Sequence, residues 1–201
     1  MIKKITAFLF LATVASQAAT ITLNKGLSPG FMVLDSSGAN AGGTTLFIGT
    51  WAGGTEPPTL GADPAGALAS FRVFGTAAGP AAGAPITGSV TTIPGTPADF
   101  NTLKMYIVVA NSNSLATATQ AFVGVNTPAT SFPADTTAAS STNFNVNTFA
   151  NLAPVQAVGS TVNNATGPES LRMVNLDVIP EPSTSLLIGL LGLTVVFRRR
   201  R

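Results

Sequence analysis

The side chains available for chemistry in this 201-residue chain are carboxylates, lysines and hydroxyls, because the sequence contains neither cysteine nor histidine. Histidine is the commonest general base and metal ligand, and cysteine supplies thiolate nucleophiles and disulfides. A serine hydrolase without histidine would need another base, most simply a lysine. Lys25 and Lys104, the lysines of the central region, occur in no motif for that role. We therefore expect neither a catalytic residue nor a cofactor.

The carboxylates of the central region leave room for a glycosidase-like pair of facing acids, which needs a separation of about 5–9.5 Å. Nothing in their spacing along the chain indicates that two of them converge. The run Asp35-Ser36-Ser37-Gly38-Ala39-Asn40 has some features of a calcium loop, but it lacks the alternating oxygen ligands and the closing glutamate. It predicts a plain turn, and we expect no metal site. The central carboxylates are Asp35, Glu56, Asp63, Asp99, Asp135, Glu169 and Asp177.

Trp51 and Tyr106, the single tryptophan and the single tyrosine, could stack against a sugar if they were exposed. Each stands in an apolar segment typical of a strand, so we expect both in the core or on a covered strand face. The sequence therefore favours a packing role for these two rings.

The basic residues lie mainly at the two ends of the chain. Charged residues make up 9% of the sequence, against roughly 25% in an average soluble domain. Between residues 19 and 179, four basic residues stand against seven acidic ones. A nucleic-acid interface needs a cluster of basic residues to neutralise phosphates. The central region has no such cluster, so we exclude nucleic acid as a partner.

Residues 1–18 have the order of a secretory signal peptide. Lys3 and Lys4 provide a positive start, residues 5–15 form an apolar stretch, and Ser16-Gln17-Ala18 supplies the small residues that signal peptidase inspects. At ~1.5 Å per helical residue, the stretch is too short for a bilayer core of ~30 Å. We predict an N-terminal signal helix cleaved after Ala18, with cleavage after Ala19 as the second choice. A buried N-terminal helix is the alternative.

Residues 180–201 carry a second membrane signal. Pro180-Glu181-Pro182 holds the backbone extended, because each proline fixes its own φ and restricts its predecessor. The apolar run 186–197 predicts a hydrophobic helix of 12 residues, which is short for a membrane span. Four arginines then resist translocation and should stay cytoplasmic, which places the central domain outside the cytoplasm. They are Arg198, Arg199, Arg200 and Arg201.

This order of Pro-Glu-Pro, short apolar helix with glycines and arginine cluster resembles the PEP-CTERM family of bacterial sorting tails. The resemblance implies a substrate of exosortase, an integral-membrane cysteine transpeptidase-like enzyme of Gram-negative bacteria that recognises the tail and cuts near the motif. Pro180, Glu181 and Pro182 would then be a recognised substrate. Signal peptidase and exosortase are the implied processing partners, with exopolysaccharide as a further one. The implied route leads from an inner-membrane-anchored intermediate to the cell surface or extracellular matrix.

Residues 19–179 are expected to form one mainly β domain, with short apolar or alternating segments between turn-rich loops. We predict a small antiparallel β-sandwich or barrel-like domain of six to eight strands, flanked by the signal helix and the C-terminal hydrophobic helix. Residues 19–23, 31–34 and 44–51 suggest an antiparallel hairpin, and residues 67–74 suit either helix or strand. Phe132, Phe144 and Phe149 should pin the polar tract 127–148 to the core. The other predicted strands are residues 86–93, 103–110, 121–125 and 170–179. The last of them alternates, with Val174, Leu176 and Val178 expected inward and Asn175 and Asp177 outward.

The order of these segments is also similar to small PEP-CTERM ectodomains of the Verrucomicrobia type. Such domains imply a fold and no assigned activity. The similarity is carried by Gly26, Gly30, Phe31, Asp35-Ser36-Ser37-Gly38, Ile48-Gly49-Thr50 and residues 105–111.

Three functions follow from the sequence, and the first is favoured. It is an exported structural or adhesive surface protein, sorted through its tail. The second is a membrane-anchored periplasmic binding module whose tail is never cut, and the third is an extracytoplasmic hydrolase. The domain is poor in catalytic side chains, which is why the enzyme is placed last.

Overall fold

A computed structural model of the protein describes residues 19–25, 30–51, 57, 64–91, 100–136, 140–148, 150–156, 158–163 and 168–176. The predicted signal helix and the sorting tail lie outside these residues. The described part is mainly β, with one short α-helix and one 3-10 turn. No helix within the described ranges is long and apolar enough to cross a membrane.

Twelve strands are formed by the described residues, more than the six to eight predicted, because several are only two to four residues long. The helix α1 spans Pro64–Ala69 and the 3-10 turn spans Leu115–Thr117. The strands are β1 (Thr20–Asn24), β2 (Met32–Leu34), β3 (Thr45–Trp51), β4 (Phe71–Ala78), β5 (Gly88–Thr91), β6 (Tyr106–Ala110), β7 (Gln120–Asn126), β8 (Ser141–Asn145), β9 (Leu152–Pro154), β10 (Ser160–Val162), β11 (Ser170–Arg172) and β12 (Val174–Asn175).

The strands form three sheets, the largest of which is wholly antiparallel. It has the order β12-β7-β6-β3-β4, and β9 pairs with the far end of β7. The two smaller sheets have the orders β5-β1-β8 and β10-β11-β2. Each of them contains one parallel pair, β1 with β8 and β2 with β11.

The large sheet is apolar on both faces, and each face belongs to a different core cluster. On β6, Ile107 and Val109 lie in the first cluster, whereas Tyr106 and Val108 lie in the second. This is the two-residue alternation of a strand that is covered on both sides. The first cluster also takes side chains from both smaller sheets, namely Ile21, Leu23, Val33, Val90, Phe144 and Leu171. The sheets therefore share one core across the first face.

The second face of the large sheet is covered by α1 and the β6–β7 loop. Leu68 of α1 packs in the second cluster, and Leu115 of the 3-10 turn packs against it. The carbonyl oxygen of Ala67 accepts hydrogen bonds from Trp51 Nε1 at 3.0 Å and from Ser70 Oγ at 2.8 Å. A carbonyl in the last turn of the helix is thus bonded both to Ser70, just after the helix, and to the sheet.

The predicted hairpin of the first three strands is wrong. β1 pairs with β5 and β8, β2 pairs with β11, and β3 lies between β4 and β6. Turn signals mark where a strand stops, but they do not determine which distant strand buries its apolar face. The partners are set by the shared first cluster, which joins residues more than 100 positions apart in sequence.

Two ambiguous segments are resolved by the structure. Residues 67–74, which suited either helix or strand, contain the end of α1 and the start of β4. The polar tract 127–148 contains the strand β8. Phe132 and Phe144 are buried in the first cluster, which confirms that they pin this tract, while Phe149 lies outside the described residues.

Candidate functional site

The residues predicted to carry function lie at the two ends of the chain, mostly beyond the described ranges. Ala18, the Pro180-Glu181-Pro182 motif and Arg198 to Arg201 are all outside them. Ala19 is described, and its side chain is 0% exposed. Its N–H donates to the carbonyl oxygen of Thr136 at 3.4 Å, and the next residue begins β1. The described part of the fold therefore begins directly at the predicted processing site.

The last described segment is anchored firmly just before the tail. Leu176 packs in the second cluster, and its N–H donates to the carbonyl oxygen of Thr119 at 2.8 Å. Asn175 is exposed and pairs with Gln120. Leu176 is buried and Asn175 is exposed, in agreement with the alternation predicted for residues 170–179, of which Asp177 and Val178 lie outside the described residues. Pro180 follows only four residues after Leu176.

A series of hydrogen bonds joins three chain segments beside this exit, and we call its members, Ser36, Asn111, Thr119, Gln120 and Arg172, the exit collar. The N–H of Ser36 donates to Gln120 Oε1 at 3.1 Å, and Arg172 Nη2 donates to the Ser36 carbonyl oxygen at 2.6 Å. Asn111 Oδ1 accepts from the N–H groups of Thr119 and Gln120, both at 3.0 Å. The tail therefore leaves the domain from a fixed point.

The collar was not predicted from the sequence. Its members lie in three segments, residues 34–40, the β6–β7 loop and β11, that become neighbours only through sheet pairing. The one local signal is Asn111, which follows the buried strand β6 directly, where an asparagine often bonds the backbone of a turn.

The predicted turn at Asp35 is confirmed. Asp35 Oδ1 accepts hydrogen bonds from Ser37 Oγ at 2.6 Å, from Ser37 N–H at 2.8 Å and from Ala39 N–H at 3.0 Å. Gly38 has a φ of +92°, a left-handed conformation that glycine adopts without strain. The carboxylate thus caps its own turn, and the Ser37 hydroxyl is the main cause of a pKa for Asp35 below its usual value.

We predict that Ser37→Ala raises the pKa of Asp35 toward the ordinary aspartate value, because the hydroxyl that bonds the charged form is removed. Because the folded pKa is lowered, the turn's contribution to stability is present above the unfolded value of about 3.9 and is lost as pH falls through the folded pKa. NMR titration of the Asp35 carboxyl carbon measures the shift. Ser112→Ala, whose hydroxyl bonds Thr117 Oγ1, should leave the titration unchanged. An Asp35 pKa that is equal in the wild type and Ser37→Ala would contradict the assigned cause.

The other candidates for chemistry do not gather into a site within the described residues. No three acidic side chains in this part of the chain lie close enough to hold a metal ion. A surface groove of about 420 Å³ lies between α1 and the β6–β7 loop. Its walls include Phe47, Leu68 and Leu115, with Asn113 and Ser114 among its polar groups. Among the described residues that line the groove, none is a carboxylate or a lysine.

Trp51 and Tyr106 are buried, as predicted. Trp51 is 2% exposed and packs edge-to-face against Phe71 and Tyr106, with ring centroids 4.8 Å and 5.0 Å apart. Because both rings are buried, a sugar cannot stack on either of them.

Comparison with known proteins gives one result, and it concerns the tail that begins at the exit collar. Residues 178–201 match the PEP-CTERM protein-sorting motif. The match includes the Pro-Glu-Pro residues, the apolar run and all four terminal arginines. It supports an exported protein that is processed at the membrane and sorted through exosortase. No curated protein and no solved structure gives a significant match to the chain. The expected similarity to Verrucomicrobia-type ectodomains is therefore not supported by these comparisons.

Proposed function

We propose that the protein is a structural or adhesive component of the cell surface or extracellular matrix, delivered there by its PEP-CTERM tail. The observation that carries the proposal is the match over residues 178–201, directly after a folded β domain whose last described residue, Leu176, is buried. In this proposal the tail directs the folded domain to its destination. Its uncharged surface loops, such as residues 111–119, present mainly hydroxyl and amide groups, which suit contacts with a hydrated polysaccharide.

The proposed route has two processing steps. Signal peptidase removes residues 1–18, and exosortase then acts near Pro180-Glu181-Pro182 on an intermediate held in the inner membrane by residues 186–197. Cleavage after Ala18 is favoured over cleavage after Ala19 by the burial of the Ala19 side chain. Cleavage one residue later would remove a methyl group from the first core cluster.

The proposal predicts that Glu181→Gln slows removal of the tail, because Glu181 is the single charge in the extended motif. The change keeps the side chain's size and removes its charge. Protein from a host that carries exosortase should be analysed by intact mass and by carbonate extraction of membranes. Wild-type protein should leave the membrane and lack Arg201, whereas Glu181→Gln should accumulate as the membrane-bound, full-length form.

Glu169→Gln is the matched control, because this carboxylate belongs to the folded domain. It should be processed at the wild-type rate. Wild-type surface protein that still ends at Arg201 would exclude tail processing. If such protein also resisted carbonate extraction, the membrane-anchored binding module would be the correct alternative.

A further inference from the structure

The connection between the folded domain and the Pro-Glu-Pro motif is very short. Leu176 is fixed by its burial and by its hydrogen bond to Thr119. From Leu176 to Pro180 there are four residue steps, which span at most about 14 Å when fully extended. Any enzyme that holds Pro180-Glu181-Pro182 must therefore bring its binding groove within about 14 Å of the folded surface.

The surface at that point is the exit collar, and its hydrogen bonds make it a defined shape. Ser36 is bonded to both Gln120 and Arg172, and Asn111 ties Thr119 and Gln120 to the end of β6. The segments that meet here are therefore held together by side-chain bonds as well as by sheet pairing. A partner would meet a preformed surface and would not have to order a loop.

The charge of the collar favours a protein partner over the lipid surface. Arg172 is its one charged member, and its guanidinium donates two hydrogen bonds to the Ser36 carbonyl oxygen. Attraction to anionic lipid headgroups depends on clusters of lysine and arginine, at about 1 kcal/mol for each residue. The amide and hydroxyl groups of Asn111, Thr119 and Gln120 are instead suited to hydrogen bonds with a protein surface.

Resting on the sorting function proposed above, we propose that the exit collar is a contact surface for the exosortase. The enzyme then recognises a composite substrate, the Pro-Glu-Pro segment together with the folded surface from which it emerges. The collar positions the motif, because a short tether on a rigid exit restricts the distance and direction in which the motif can be presented.

The test is site-specific photo-crosslinking in cells that express exosortase and the full-length chain. The photoreactive residue p-benzoylphenylalanine replaces Ala39, an exposed residue of the turn that contains Ser36, or the exposed Asn175 beside Leu176. The matched control is Ala150, an exposed alanine in the turn whose Asn151 bonds Asn126. This control lies near the opposite end of β7, whose seven residues separate the two ends by about 20 Å.

We expect a covalent adduct with exosortase from position 39 or 175, at least fivefold stronger than from position 150. Insertion of twelve Gly-Ser residues between Asp177 and Val178 should reduce the adduct by a similar factor, because the motif no longer needs the collar nearby. Exosortase adducts that are equally strong from the collar positions and from position 150 would overturn the proposal. Processed protein without any exosortase adduct would overturn it as well. Adducts with lipid alone would assign the collar to the membrane surface. If the tail is not cut at all, as read from intact mass in the same cells, the sorting function itself fails.

Discussion

Replacing Asn126 by aspartate should lower the unfolding free energy by about 3–5 kcal/mol at neutral pH, the usual cost of leaving a buried charge without a partner. The Asn126 side chain is 3% exposed. Its amide nitrogen donates to the carbonyl oxygens of Asn145 at 2.8 Å and Asn151 at 2.9 Å. Its Oδ1 accepts from the N–H of Asn145 and from Thr130 Oγ1, both at 2.9 Å. An aspartate at this position keeps the accepting oxygen of Asn126. It replaces the donating amide nitrogen with a second negative oxygen, which faces the carbonyl oxygens of Asn145 and Asn151.

The loss should depend on pH in a defined direction. The introduced carboxyl would have a folded-state pKa above its unfolded value of about 3.9, because burial and two facing carbonyls disfavour the charged form. The folded protein then binds more protons than the unfolded one between those two pKa values. The stability that the variant loses relative to wild type should therefore be smallest below about pH 3.9. It should grow as pH rises through the folded-state pKa of the introduced carboxyl. Urea unfolding at several pH values, followed by the fluorescence of Trp51, measures this difference.

Asn111→Asp is the matched control, since Asn111 is exposed and uses its Oδ1 in the same way. Its amide nitrogen donates to Thr119 Oγ1 at 2.8 Å, and that hydroxyl can reverse and donate to a carboxylate. We expect a change within about 0.5 kcal/mol, as for most surface substitutions. An Asn126→Asp variant as stable as Asn111→Asp would show that the four bonds of Asn126 contribute little.

Strand positions could be predicted where the local pattern carries the information. The apolar run of β6, the alternation of β1 and the inward Leu176 followed from the two-residue period. Pairing could not be predicted, because β1 and β2 choose partners through the first core cluster and each accepts a parallel neighbour. The short strand β9 exists only as an addition to β7, and no local pattern in the sequence predicts it.

The candidate functional residues also fall into those that could be predicted from the sequence and those that could not. The tail could be read from the sequence, because its prolines, apolar run and arginines act through composition and order. The exit collar could not, because Ser36, Asn111 and Arg172 meet only after three distant segments have paired. Asn126 was missed for a related reason. It lies at the end of a strand, and three of its four hydrogen bonds go to Asn145 and Asn151, which are 19 and 25 positions away in sequence.

Gly49→Ala should also be strongly destabilising, on the order of 3 kcal/mol, at the upper end of what overpacking usually costs. Gly49 faces the bulge in which Phe74 of β4 is the extra residue, between the Ile48–Gly75 and Gly49–Val73 pairs. An added Cβ would overlap the backbone oxygen of Arg72 and lie 2.7–2.8 Å from two ring carbons of Phe71. The oxygen belongs to the paired strand and cannot rotate away. Relief would have to shift β4 and with it Phe74, which is buried in the first cluster.

Gly42→Ala provides the comparison, because the nearest atom to its added Cβ is Ala82 Cβ at 3.4 Å, an ordinary contact. That exposed site should change the unfolding free energy by less than about 1 kcal/mol. Urea unfolding monitored at Trp51, whose ring packs against Phe71, measures both variants with the same probe. Equal stability of the two variants would mean that β4 moves freely at the bulge. A large loss of stability for Gly49→Ala alone would mean that the bulge holds β4 in place. This is the expected result, because the short segment at the bulge must place Phe71 on one face of the sheet and Phe74 on the other.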